Sequence, residues 1–429
     1  MSEVSHMQRT RGGGRKGALR REGRFLLRDR AALVWIAIGF VLSVTAVALG
    51  LLEIDMQRDE LAAMQQLDRA ERAAVLEDEY EWGGAAYYVF HLTADPPSDF
   101  AFAALGQRDT SPWKHRIRML ALEGQIYETD AGNPDLALVG RFDFAFVAAL
   151  LAPLLVILLL FDLRSGERTA GRLDLIEASA RSGSAVWRAR ALWRVGALGA
   201  ALLLPLWLGG IAAGAGALTL LAASATVALY LAFWAWLTLR LSSAERTGSV
   251  NLTVALGVWL ALCAVLPAAL TAGIERAVAL PEPGDIMLTQ REAVNDAWDL
   301  PKSATWEPFL ARHTQWTAAS EPEEGFDWNW YYAFQQVGDQ VAEPLSLAYR
   351  EGRARRDALA GWSSVVSPAT ALQRILERMA RTDARASLAY ENRVRNFHAK
   401  LRAHYYPRLF EQQEFDADTA QDELPRFQE

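Results

Sequence analysis

The sequence predicts a mainly α-helical integral membrane protein with five transmembrane helices, a long stalk helix and a helical or α+β periplasmic domain. Three observations predict it. Apolar residues make up 52% of the 429-residue chain, and they gather in blocks of about 20, the length that crosses a bilayer. Charge is divided by region, as topology selection requires. The first block runs directly into a polar stretch with apolar residues at helical spacing.

Residues 1–30 form a basic tail, with nine Lys or Arg against three acids. Its length, and the 22-residue run "AALVWIAIGFVLSVTAVALGLL" behind it, fit a retained anchor and not a cleavable signal. That run, 31–52, is the first span. Beyond it Met56, Ala63, Leu67, Ala70 and Ala74 fall on one helical face, so the helix is expected to continue outward as a stalk of about 40 Å. The rest of 53–143 contains Pro96-Pro97 as a break and "YYVFHLT" as a strand candidate. The second span, 144–161, tolerates Pro153. The third and fourth, 191–208 and 217–239, flank "GGIAAGAG", which suits a tight hairpin. The fifth is 250–274. Residues 275–429 read as mostly helical, with Ser367-Pro368 in the N-cap and N1 arrangement that starts a new helix.

Basic residues orient the spans. The tail, the segment 162–190 with six arginines against four acids, and the short loop at 240–249 with two arginines all belong in the cytoplasm. The region from Glu53 to Arg141, with seventeen acids against eight basic residues, then lies outside together with 275–429. This reading implies a cytoplasmic N-terminus and two large extracytoplasmic regions.

Little in the chain suggests chemistry. One cysteine, Cys263, cannot form an internal disulfide, and six scattered histidines show no metal-ligand spacing. The glycine-rich "RTRGGGRKGAL" lacks the spacing of a phosphate loop and suits an arm near anionic lipid. No nucleophile elbow is present, and the span interiors hold only small hydroxyls such as Ser43, Thr45, Ser224 and Thr226. The chain is not expected to be an enzyme, to hold a metal or cofactor, or to bind nucleic acid.

The segment "FDLRSGERTAGRLDLIEASARS" follows the second span without a gap. Leu173, Ile176 and Ala180 share one helical face, while Arg172, Asp174 and Glu177 face elsewhere, as in a short amphipathic helix offering a charged edge to a partner. A solvated loop is the plainer alternative. The segment resembles the one after the second span of ABC-2 type transporter permeases, F-D-x-x-S-G-E-x-E-x-G-T-L-x-x-L. Phe161, Asp162, Ser165, Gly166, Glu167, Gly171, Leu173 and Ile176 match, with Arg181 at the turn; Thr169 and Arg172 depart from it. "LRREGRFLLRDRAAL" is similar to the family's interfacial helix, on Glu22, Arg28, Asp29 and Arg30. "VSPATALQRILERMARTD", "RNFHAKLRAHYYPRLF" and "DELPRF" resemble the second insertion, just ahead of the last span, of a subgroup with two large periplasmic insertions and six spans; the family's sixth span is absent from residues 1–429, by a shortened sequence or a real truncation.

That resemblance implies a permease half, non-enzymatic by itself, that works with a cytosolic ABC ATPase dimer and with a second permease chain or a copy of itself. ATP and Mg would belong to the ATPase. The membrane would be a bacterial inner membrane, and the two large extracytoplasmic regions would be periplasmic. Asp162, Ser165, Gly166, Glu167, Arg168, Gly171, Arg172, Leu173 and Ile176 would receive its closure, with Glu167 and Arg168 as polar contacts and Leu173 and Ile176 as anchors. Export is the favoured direction. The alternative is a membrane-anchored periplasmic sensor or scaffold without transport activity. In the second outer region, Trp328, Trp330, Tyr331 and Tyr332 form an aromatic group that reads either as a surface for a periplasmic partner or, more readily, as internal packing.

Overall fold

A computed structural model of the chain describes residues 21–128, 142–179, 183–316, 322 and 325–428. It has five helices long and apolar enough to cross a membrane, with a single two-stranded sheet among the described residues. The chain is a mainly α-helical integral membrane protein. Its small loops lie at one end of the bundle, termed here the loop side, and its large domain lies at the other, the domain side.

Helix α1 (Arg30–Asp78) is 49 residues without a break, about 74 Å at 1.5 Å per residue. Asp29 caps it, accepting the Ala32 N–H at 3.1 Å. One face of its membrane half is a row of small residues, Gly39, Ser43, Ala46 and Gly50, all buried. The row admits α7 (Gly183–Ala213) closely. A Cβ at Gly39 would come 2.7 Å from Leu198. At Gly50 it would meet the Phe102 carbonyl oxygen at 2.0 Å, so that position admits only glycine. Phe102 belongs to a fully buried stretch, 100–105, that dips into the domain-side end of the bundle.

The stalk half of α1 corrects the expected face. Met56, Ala63, Leu67, Ala70 and Ala74 are exposed, and the buried face is Ile54, Gln57, Leu61, Asp68 and Leu76. The reason is polar. The neighbouring domain presents donors to the stalk: Arg108 Nε to Gln57 at 3.0 Å and the Leu92 N–H to Asp68 at 3.1 Å. Buried hydrogen-bonding groups decide the rotation, and a hydrophobic pattern does not register them.

After α2 (Trp82–Tyr88), strands β1 (His91–Ala94) and β2 (Lys114–Ile117) pair antiparallel, His91 opposite Ile117. Helix α3 (Leu122–Tyr127) follows. The second span, α4, starts at Phe144–Phe146, passes through a π turn at Val147–Leu151 and continues over Ala152–Leu160. Pro153 has no N–H to give Ala149, and the Tyr230 hydroxyl donates to that Ala149 carbonyl instead, at 2.6 Å. The Trp259 indole donates to the adjacent Leu150 carbonyl at 3.0 Å. Side chains from two other spans thus replace what the proline removes.

Two short helices, α5 (Ser165–Thr169) and α6 (Leu173–Ser179), lie on the loop side. Helix α7 begins well before the expected 191. It also continues through Gly209 and Gly210, leaving the turn to residues 214–216, where Gly214 has φ +83°. Helix α8 (Ala217–Ser242) is the fourth span. The fifth, α9, runs Gly248–Leu260, through a π turn at Ala261–Val265, to Leu266–Ala277.

The domain-side region contains α10 (Pro283–Asp296), α11 (Ser303–Arg312), α12 (Trp328–Ser363), α13 (Pro368–Ala380), α14 (Ala384–Phe410) and α15 (Ala417–Glu423). Its core joins distant parts of the chain: Leu76, Trp82, Ile117 and Leu122 with Tyr332, Tyr390, Phe397, Leu401 and Tyr406. Helix α13 stands apart from that core. Its Ala369, Leu372, Leu376 and Ala380 are buried with the spans instead.

Candidate functional site

The loop-side face is built from the approach to α1, the end of α4, α5, α6, the first turns of α7 and the start of α9. Phe161 ends α4, and Asp162 directs the next turn: its Oδ1 accepts from the Ser165 hydroxyl at 2.6 Å, and its carbonyl accepts the Gly166 N–H at 3.0 Å. Gly166 and Gly248 both lie against the Asp162 carboxylate, where a Cβ would come within 2.8 and 2.5 Å. The start of the fifth span is therefore seated on the start of α5. Gly171 has φ +66° and open space around it, which lets the chain reverse between α5 and α6.

Glu167 faces inward. It accepts from Arg172 Nε at 2.8 Å and from Arg190 Nη1 at 2.9 Å. Arg190 Nε donates also to Glu22 at 2.8 Å. One turn along α7, Arg194 donates to Asp29 at 2.6 Å and to the Leu159 carbonyl at 2.7 Å. Arg164 and the Trp187 indole both reach Glu177, each at 3.3 Å. Glu167 and Glu177 thus tie α5 and α6 to α7, and Arg190 and Arg194 tie α7 in turn to the approach to α1 and to α4.

The expected site residues therefore divide. Asp162, Ser165, Gly166 and Glu167 are engaged within the protein. Leu173 and Ile176 are partly buried against the membrane core, so they anchor α6 to its own bundle. Arg168 is partly buried, and Arg28 and Arg30 are exposed. Thr169, Gly171, Arg172, Asp174 and Leu175 present the outward edge, Leu175 with 72% of its surface exposed. Arg181 lies outside the described residues. Sequence reasoning missed Arg190, Arg194, Trp187 and Gly248. The four-residue spacing of Arg190 and Arg194, which puts both on one face at the start of an apolar helix, was the available signal.

The aromatic group on the domain side is packing, and the reading of it as a surface is corrected at two positions. Trp330 and Tyr332 are 4% and 0% exposed. The Trp330 indole donates to Thr305 at 3.1 Å and the Tyr332 hydroxyl to the Gly83 carbonyl at 2.8 Å. Trp328 lies over Gly83 and donates to Glu81 at 2.8 Å. Tyr331 packs edge-on to Trp328 and Phe334. Trp328, Tyr331 and Tyr332 join the two domain-side regions into one core, and Trp330 packs in a smaller cluster with Ala297 and Phe334.

Two ionisable features complete the domain side. A cavity of about 130 Å³ opens between the stalk and β1, lined by Gln65, Asp68, Arg72, His91 and Phe397. Burial holds the His91 imidazole neutral, its pKa lowered to about 3. On α13, burial and the carboxylates of Asp143, Asp383 and Asp357 push Glu377 up to about 7, against the pull of Arg374.

The fold thus defines an α-helical membrane protein with a braced helix pair on one side and a large domain on the other. Residues 285–429, most of that domain's second half, match the model of a domain of unknown function, DUF3526. No curated protein and no solved structure matches the chain.

Proposed function

We propose that this chain is the membrane-spanning permease half of an ABC-2 type transporter. It couples ATP hydrolysis by a separate cytosolic ATPase dimer to export, or to a conformational change in a periplasmic domain, in a bacterial inner membrane. The observation that carries the reading is the bracing of α5 and α6. A segment that only tethered the chain would need no ion pair to α7 and, through Arg190 and Arg194 of α7, no link to the approach to α1 or to α4. A segment that receives force does, because displacement must reach several spans together. The outward edge, Thr169 to Leu175, is left for the ATPase, whose Mg-bound ATP supplies the energy. A second permease chain or a second copy completes the pathway.

The test is co-purification from native membranes, followed by assay of ATP hydrolysis in lipid. An ABC ATPase that accompanies the chain, and is stimulated by it, supports the proposal. A stable, monodisperse chain that recovers no ATPase would overturn it in favour of the anchored sensor or scaffold.

A further inference from the structure

We propose that the turn joining α12 to α13 is buried in the lipid of the membrane the chain spans, so that the large domain is pinned to the bilayer by a wedge of its own. The inference needs only the transmembrane reading and is independent of any ATPase. It begins with a register. Gly338 of α12 packs on Val294 and Gln290, and Gly352 packs on Leu280 and Val278. Arg356 donates to the Val278 carbonyl at 2.9 Å and to that of Glu275 at 3.4 Å. Partner numbers fall as α12 numbers rise, so α12 descends antiparallel along α10 and then α9. Continuing from Arg356 to the helix end at Ser363 carries the chain about 10 Å further, to the level of residues near 269. That level lies inside the apolar run of the fifth span.

Helix α13 starts at this depth and returns to the domain side, where the Ala380 carbonyl accepts from the Ser98 hydroxyl and the Thr382 hydroxyl donates to the Ala104 carbonyl. It packs against the π turn at Ala261–Val265, the start of α4 and α8, with its apolar face in the spans' own core. What the turn exposes at this depth is apolar: Trp362 at 78%, Val365 at 78% and Val366 at 56%. The α9 surface at that level is open and apolar too, with Val265 59% exposed. The turn therefore continues an exposed apolar surface of the fifth span. Two turns above Trp362, Arg355 and Arg276 are exposed, at the height where arginine meets phosphate headgroups and tryptophan the interface below them.

The backbone meets the second requirement of a lipid-buried turn, which is to satisfy its polar groups internally. The N–H groups of Ser364, Val365 and Val366 donate to the carbonyls of Ala360, Trp362 and Ser363. The hydroxyls of Ser363 and Ser364 fold back on Ala360 and Gly361 at 2.9 and 2.6 Å. Ser367 is buried and caps α13.

The experiment places a nitroxide at Val365→Cys, and separately at Val366→Cys, in a Cys263→Ala background of the full chain in phosphatidylcholine–phosphatidylglycerol nanodiscs. Collision with oxygen is compared with collision with a water-soluble nickel chelate. Val265→Cys serves as the lipid reference and Arg355→Cys as the headgroup reference. The expected result is oxygen accessibility above chelate accessibility at 365 and 366, matching 265, with the order reversed at 355. Chelate accessibility above oxygen at both sites would overturn the proposal. So would low accessibility to both reagents, which would assign the turn to a protein partner.

Discussion

Glu167 and Arg190 stand 23 residues apart in sequence and are joined by a 2.9 Å hydrogen bond. The same guanidinium holds Glu22 at 2.8 Å, so one side chain bridges α5, α7 and the approach to α1. Arginine suits this place because its donors form a rigid fork, whereas a lysine offers one compact charge.

Arg190→Ala should destabilise the bundle by about 2–3 kcal/mol, because it leaves the enclosed Glu22 carboxylate without its cation and Glu167 with Arg172 alone. Arg190→Lys should recover part of that. Denaturation in mixed micelles measures both, and an alanine variant as stable as the parent would remove the brace from the account.

On the outward edge, Leu175→Asp should leave stability unchanged, since the side chain touches little of its own protein. On the proposed function it should weaken ATPase binding about tenfold, the cost of losing one interface anchor. Titration of purified ATPase against the nanodisc-embedded chain reads this directly. Equal affinities would place the ATPase contact elsewhere.

Gly50→Ala should destabilise by about 3 kcal/mol or prevent folding, because its Cβ would press on backbone, which cannot rotate away. Gly257→Ala, in open space on the fifth span, should be silent. Expression level and thermal aggregation of the pair separate packing from any general intolerance of glycine replacement.

Two opposed pH dependences are expected on the domain side. Burial lowers His91 to about 3, and His115 and His404 to about 4. Their stabilising contribution is complete above the unfolded value near 6.5 and is lost as pH falls through that window. Glu377 has the other sign. Its pKa is raised to about 7, so its contribution is present below about 4.5 and is lost as pH rises through 7. Glu377→Gln should therefore raise the melting temperature by about 2 °C at pH 8, with a smaller gain at pH 5. Equal gains at both pH values would mean that the carboxyl ionises normally in the folded state.

Much of the membrane part was legible in the sequence, because lipid demands long apolar helices and their blocks are plain in composition. The stalk was legible as a helix but not in its rotation, since Gln57 and Asp68 are buried for their hydrogen bonds. The charged segment after Phe161 was legible as a unit. Its inward and outward faces were not, because Glu167 is turned by Arg190, a residue contributed by another span. The aromatics of "FDWNWYYAF" could not be placed without knowing that Gly83, some 250 residues earlier in the chain, would lie beneath them.

The rigidity of α1 has one further consequence. A helix unbroken from Arg30 to Asp78 acts as a lever whose fulcrum is the tight crossing at Gly39 to Gly50. A tilt of about 5° about that crossing would swing its far tip, about 50 Å away, by about 4 Å. The displacement would be delivered where Leu76 and Trp82 enter the domain-side core. Small angular work at one membrane face becomes a long stroke at the other.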